Sequence, residues 1–177
     1  MGASRQRGRS AIRRARVVIF VTVGSQMPFD RLVRAVDEWA GENGGQDVFA
    51  QIGDSEYRPL NMRWIRHLDP SAFRSQLVAA DAVVGHAGTG TILEALSNGV
   101  PVVVLPRRGH LMETRDDHQL ATVNVFAESK GVHVANTIEE LNGHLSSVGG
   151  MAVHSPMSDR APERLLSVLR EFVSGGH

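Results

Sequence analysis

Short apolar runs alternate with amphipathic stretches along most of the chain, as strands alternate with helices in an α/β domain. Six runs predict strands, at 17–23, 47–52, 62–68, 82–84, 100–105 and 132–135. Apolar residues spaced three and four apart predict helices at 28–40, 69–80, 92–98, 116–129, 137–148 and 162–173. Because most of the strands are apolar throughout, the pattern predicts a Rossmann-like parallel sheet with helices on both faces.

The same pattern divides the chain into four parts. Residues 1–16 are a basic arm that we expect to be disordered, and residues 17–148 form the Rossmann-like domain. Residues 149–158 are a predicted flexible linker, and residues 159–177 are a C-terminal helix and tail. That helix carries an apolar stripe made of Leu165, Leu166, Leu169 and Phe172. The stripe suits either docking to another polypeptide or packing on the chain's own sheet.

Composition narrows the class of protein. The 177 residues suffice for one such domain but not for two. The chain has no cysteine, which excludes disulfides and thiolate metal sites. No run approaches the roughly 18 consecutive apolar residues that a membrane-spanning helix needs. We therefore expect a soluble, cytoplasmic protein.

The charge is zero overall but unevenly distributed. Residues 1–16 carry six arginines and no acidic residue, which leaves 13 basic and 19 acidic residues in the rest, a net charge of −6. An acidic body argues against binding to nucleic acid. The arm suits either a disordered extension (or an over-long start assignment) or a tether to anionic lipid, at about 1 kcal/mol per basic residue near the surface.

A Gly-rich turn follows the predicted strand at 82–84 and opens the next helix. Such a turn binds anions well, because the first-turn N–H groups of a helix lack intrahelical acceptors and the helix dipole favours negative charge. It is also compatible with an ordinary turn whose glycines only permit tight packing. Two further polar loops, at Gly24 and after Leu105, follow strands at the same predicted edge of the sheet, where α/β proteins bind ligands.

The turn contains the spacing His86-x-Gly88-x-x-Thr91-x-x-Glu94. Gly88 and Gly90 would let the backbone approach a diphosphate, and the hydroxyl of Thr91 would lie in the first helical turn beside it. Glu94 lies three residues further on the same helix face. A carboxylate at that place can accept hydrogen bonds from both hydroxyls of a ribose.

Three blocks of sequence resemble a known family: FVTVGSQMPFDRLVRAV, HAGTGTILEALSNGVPVVVLPRR and DDHQLATVNVF. The chain resembles the C-terminal, nucleotide-binding domain of glycosyltransferase family 28, within the GT-B type. It is similar to the small subunits of split enzymes. Examples are bacterial exopolysaccharide and capsule β-1,4-glycosyltransferase subunits of the PssE type and the cytosolic subunit of the eukaryotic UDP-GlcNAc transferase of N-glycan precursor assembly.

The resemblance implies a UDP-sugar donor site. Residues implied around the diphosphate are Gly24, Ser25, His86, Gly88, Thr89, Gly90 and Thr91. Leu68 would pack near the uracil, and Glu94 would hold the ribose. Residues implied near the transferred sugar are Asp117, His118 and Gln119.

Several of these residues also have simpler interpretations. His86 could be a buried structural histidine, Glu94 a solvated helix residue, and Gln119 a helix cap. Arg107, Arg108 and Arg115 flank a loop that looks polar and mobile. They could contact an anionic donor or a lipid diphosphate, or be solvated.

A metal site at Asp116-Asp117-His118 is disfavoured, because the cluster has a single histidine and no second one at helical spacing. We expect no metal and no cofactor. The resemblance implies that a helix N-terminus and polar side chains act where other transferases use a divalent cation.

The implied activity is that of the donor-binding subunit of an inverting, metal-independent glycosyltransferase. It would transfer glucose, galactose or N-acetylglucosamine to a polyprenyl-diphosphate-linked sugar in polysaccharide biosynthesis. No residue is a good general base, so a membrane-associated partner subunit is expected to supply the base and the acceptor site, and to recruit the chain to the inner face of the membrane. Alternatives are a non-catalytic nucleotide-sugar-binding module and a fragment of a UDP-sugar 2-epimerase.

Overall fold

The computed structural model describes residues 16–44, 46–114 and 118–151, which form one six-stranded sheet with helices on both faces. All neighbouring strands are parallel, in the order β3-β2-β1-β4-β5-β6. The strands are β1 Val18–Thr22, β2 Asp47–Gln51, β3 Arg63–Ile65, β4 Ala82–His86, β5 Val102–Leu105 and β6 Val132–Val134. The helices are α1 Asp30–Glu42, α2 Pro70–Ala79, α3 Thr89–Ser97, α4 His118–Phe126 and α5 Ile138–Ser147.

Two apolar clusters cover the two faces of the sheet. On one face α1 and α5 pack through residues such as Leu32, Trp39 and Leu141. On the other face α2, α3 and α4 pack through residues such as Leu77 and Ile92. Side chains from alternate positions of β1 and β4 enter both clusters, so these strands are buried on both sides. The predicted fold class is confirmed.

The helix caps follow the local sequence. The Asp69 side chain accepts hydrogen bonds from the N–H groups of Ser71 and Ala72, and so caps α2. Thr137 caps α5 by accepting from the Glu140 N–H. One predicted start was wrong: Pro28 is not the first residue of α1, which begins at Asp30. Phe29 precedes the helix with a non-helical backbone (φ −141°, ψ 62°), and its side chain is fully buried.

Gly85 lies inside β4 and not, as predicted, at its end. The strand continues through Gly85 to His86, and Gly85 pairs with Thr22 of β1. A Cβ on Gly85 would lie 2.9 Å from the Thr22 carbonyl oxygen. The missing side chain therefore permits close approach of β1 and β4, and the turn begins two residues later than the sequence suggested.

The structure describes only part of the predicted linker and none of the predicted C-terminal helix. Gly149 and Gly150, the first residues of the predicted linker, belong to a 3₁₀ turn, Val148–Gly150. Residues 1–15 of the arm, residues 152–158 of the linker and the C-terminal helix at 159–177 lie outside the described residues. Within the described ranges, no helix combines the length and the apolar character that crossing a membrane requires.

We expect Gly85→Ala to destabilise the protein by about 1–3 kcal/mol, because the new methyl group would push against backbone in a packed core. Gly143→Ala is the matched control. Gly143 lies inside α5, a Cβ there would meet nothing within 4 Å, and alanine favours a helix by about 1 kcal/mol over glycine. Urea unfolding of both variants tests the expectation, and equal stability changes would contradict it.

Candidate functional site

The loops that follow β1, β4 and β5 meet at the carboxyl edge of the sheet. The strand order reverses between β1 and β4, since the chain proceeds outward from β1 to β3 on one side and from β4 to β6 on the other. Ligands of open α/β sheets bind in the crevice outside such a reversal. The predicted residues at Gly24 and His86 both lie beside this crevice.

The His86 ring is held between two glycines. A Cβ on Gly24 would lie 2.5 Å from His86 Cε1, and a Cβ on Gly88 would lie 2.2 Å from His86 Nε2. Gly24 also has a φ of +76°, a conformation that residues with side chains rarely adopt. Both glycines are therefore required to accommodate the ring, a role that the sequence spacing did not reveal.

The main contribution of Gly24 to this edge of the sheet is the space that it leaves for the His86 ring, since the N–H of Gly24 is already hydrogen-bonded. Its N–H donates to Thr22 Oγ1 at 3.1 Å, and the Thr22 hydroxyl donates to Gln51 Oε1 at 3.1 Å. Ser25, the next residue, is exposed. Of the two predicted residues in this loop, only Ser25 has a side chain, and that residue is exposed to solvent.

The electrostatic environment keeps His86 neutral. The pKa of His86 is lowered to about 4, mainly by burial and also by the positive charge of Arg107. The polar backbone of Thr22 acts in the opposite direction and raises this pKa. The Nδ1 atom is buried and has no hydrogen-bond partner among the described residues. A neutral imidazole carries one N–H and one acceptor nitrogen, so His86 can donate a single hydrogen bond at neutral pH.

The N-terminus of α3 lies directly after His86. The N-cap is Gly88, which has no side chain with which to cap the helix, and the helix begins at Thr89. The first-turn N–H groups, including those of Gly90 and Thr91, therefore lack intrahelical acceptors. Gly90 is exposed, and a Cβ on it would meet nothing within 4 Å. These donors and the positive end of the helix dipole together suit an anion.

Glu94 and Leu68 are the residues predicted for the ribose and the uracil. Glu94 lies one turn along α3 and is half-buried. No hydrogen bond or ion pair to its carboxylate is found among the described residues, so both oxygens can accept from a ligand. Leu68 lies between β3 and α2 and packs against the apolar cluster that includes Ile92.

The loop after β5, which we predicted to be polar and mobile, is anchored through Arg107 and Glu113 over the described residues to Thr114. Arg107 is only 3% exposed, and its guanidinium lies 4.8 Å from the centre of the Phe29 ring. Its terminal nitrogens donate to four backbone carbonyl oxygens, those of Val23, Met27, Pro28 and Glu113. Burial lowers the pKa of Arg107 to about 10, against the attraction of Glu113, so Arg107 is charged at neutral pH.

The Glu113 carboxylate fastens the same loop to α1. It accepts from Arg31 through both oxygens, at 2.7 and 2.8 Å, and from the Arg108 N–H at 2.9 Å. Arg108 also donates to the Asn136 carbonyl oxygen. Neither Arg107 nor Arg108 is a freely solvated side chain as one of our interpretations had it, and Arg115 lies outside the described residues.

The residues expected near a transferred sugar are described only in part. Gln119 Oε1 accepts from the Arg107 N–H at 3.0 Å, which anchors this side chain to the loop after β5. Asp117 and the side chain of His118 lie outside the described part of the chain. Within that part, no three histidine or acidic side chains cluster as metal ligands would.

Residues 18–151 match the glycosyltransferase family 28 C-terminal domain. The match covers well over half of the chain, so the chain belongs to this family, and the predicted family is confirmed.

Three solved structures share the fold. The glycotransferase of kitacinnamycin is 22% identical with a TM-score of 0.57, and the alignment covers 99% of this chain and 44% of that one. ALG13, solved by NMR, is 20% identical with a TM-score of 0.60, over 90% and 98% of the two chains. Os79 from O. sativa, in complex with UDP, is 20% identical with a TM-score of 0.55, over 87% and 35%.

These likenesses place the sheet as the C-terminal half of the GT-B fold. The chain spans less than half of the length of the first and third of these relatives and nearly all of the second.

We expect His86 to make stability fall as the pH drops from about 6.5 to about 4. Between these values the unfolded chain binds a proton at His86 and the folded chain does not, so acid favours unfolding, by at most about 3 kcal/mol. Urea unfolding of the wild type and of His86→Gln over this pH range measures the effect. The difference in unfolding free energy between them should shrink toward pH 4, and parallel curves would contradict the expectation.

Proposed function

We propose that this family 28 domain binds the UDP part of a UDP-sugar and acts as the donor half of an inverting hexosyltransferase. One observation carries the proposal: a helix N-terminus without a capping side chain lies beside a neutral histidine, and the Glu94 carboxylate one turn along has no partner in the described part of the chain. These groups would meet the diphosphate and the ribose of one nucleotide. The complex of Os79 with UDP, on the same fold, is consistent with this assignment.

In the proposed reaction, an acceptor hydroxyl oxygen attacks the anomeric carbon, and the bond from that carbon to the diphosphate oxygen breaks. UDP leaves with the bonding electron pair, and a base takes the hydroxyl proton. The N–H groups of Thr89, Gly90 and Thr91 would stabilise the charge that develops on the leaving diphosphate. His86 would donate its single N–H from the ring nitrogen that faces the phosphate.

The donor half requires a second half. We assign no general base to this chain. We propose that a membrane-associated partner supplies the base and binds a polyprenyl-diphosphate-linked sugar, and that it recruits this chain to the inner face of the membrane. The resemblance to small subunits of split enzymes supports this division. Glucose, galactose and N-acetylglucosamine are the proposed hexoses, for polysaccharide synthesis.

We further propose that the reaction needs no divalent cation. The α3 N-terminus provides several N–H donors to a diphosphate. The Arg107 charge lies near enough to act on the pKa of His86, so it also acts on an anion held there. Transfer should therefore persist in excess EDTA.

The ribose assignment is tested by Glu94→Gln with two ligands. Replacing the carboxylate by an amide should weaken UDP binding by about tenfold to 10²-fold, the effect of losing a hydrogen bond to a charged group. The matched ligand is 2′,3′-dideoxy-UDP, which lacks both hydroxyls and should bind the wild type and the variant equally. Calorimetric titration gives the four dissociation constants.

An equal loss for both ligands would show that Glu94 acts on something other than the ribose. Unchanged binding of UDP by Glu94→Gln would contradict the site. A nucleotide-sugar-binding module without catalysis would pass this test, and it is separated from a transferase by an assay of sugar transfer.

A further inference from the structure

Arg107 is a buried cation whose guanidinium, among the described residues, donates only to backbone carbonyl oxygens. Each of its two terminal nitrogens carries two N–H groups. The structure gives each nitrogen two acceptors, at distances of 2.6–3.0 Å: Val23 and Met27 for one, Pro28 and Glu113 for the other. The guanidinium therefore joins the loop after β1 to the loop after β5 through all four terminal N–H groups.

This junction lies next to the slot that holds His86, which is the space between Gly24 and Gly88. Three of the four acceptors belong to the loop after β1, and one of them, Val23, immediately precedes Gly24. Gly24 forms one wall of the slot, where a Cβ would lie 2.5 Å from the His86 ring. The position of that wall thus depends on the position of the loop that Arg107 fastens.

We infer that Arg107 is a positioning residue of the leaving-group site: its guanidinium fastens the loop after β1 so that Gly24 and the His86 ring are held in place for a bound diphosphate. The inference rests on the proposed function and adds to it a residue that need not touch the nucleotide.

Arginine suits this role better than other residues. Lysine offers three donors from one nitrogen and cannot span two loops through four carbonyl oxygens. An apolar residue would leave those carbonyls buried without donors. The charge also remains available to the site, because the carboxylate of nearby Glu113 is paired with Arg31 at 2.7 Å. Among Arg31, Arg107 and Glu113, one positive charge is therefore left over.

The test compares Arg107→Met and Arg107→Lys with the control Asp37→Asn. Asp37 is equally buried and accepts from the Leu60 and Asn61 N–H groups and from the Tyr57 hydroxyl, in a part of the fold that does not line the site. For each protein, NMR titrations give the dissociation constants of UDP and of uridine and the pKa of His86. Urea unfolding gives the stability.

We expect Arg107→Met to weaken UDP binding by about tenfold or more and to leave uridine binding unchanged. The reason is that displacement of the His86 ring removes contacts to the diphosphate, which uridine lacks. The pKa of His86 should rise from about 4 when the neighbouring charge is removed. Arg107→Lys should keep the low pKa of His86 and recover part of the UDP affinity. Asp37→Asn should lose stability and change neither ligand affinity nor the pKa.

Three results would overturn the inference: equal losses for UDP and uridine in Arg107→Met, a loss of UDP affinity in Asp37→Asn that matches that of Arg107→Met, or an unchanged pKa of His86. If Arg107→Met does not fold, Arg107→Lys carries the test, and a UDP affinity equal to that of the wild type would overturn it. If the wild type binds no UDP, the proposed function fails, and the pKa of His86 in Arg107→Met still decides whether Arg107 acts on the ring.

Discussion

The close approach of β1 and β4 is the constraint on which the site depends. Gly85 lets the two central strands approach until its Cα faces the Thr22 carbonyl oxygen. The next residue, His86, then projects at the point where the strand order reverses, and its ring fits only because Gly24 and Gly88 have no side chains. Three glycines, two in loops and one in a strand, thus determine where the His86 ring lies.

A partly buried histidine and a buried arginine give this edge of the sheet its electrostatic character. His86 remains neutral, since burial and a neighbouring cation both disfavour its protonation. Arg107 remains charged, since four carbonyl oxygens replace the water it lost. With the uncapped N-terminus of α3, the described part of the edge offers donors and positive potential. Such an edge suits an anion, and a departing diphosphate is the anion that we propose.

The sequence predicted the alternation of strands and helices, the parallel sheet, the family and the Gly-rich turn that opens α3. Apolar runs and fixed spacings report these features because they depend on local periodicity. The sequence did not predict that Gly85 lies within a strand or that Arg107 is buried. Gly85 depends on contact with Thr22, 63 positions away, and Arg107 on contact with Val23, 84 positions away. An arginine in a polar loop also has the local pattern of a solvated one.

We propose that this chain binds the donor and its leaving group and that a partner binds the acceptor. The most direct test of this proposal is transfer of labelled hexose from a panel of UDP-sugars to lipid, using membranes from cells that lack this chain. We expect transfer from one UDP-sugar, and only when the purified chain and the membranes are combined. Binding of UDP-sugar by the chain without any transfer in that mixture would contradict a donor half that works with a membrane partner.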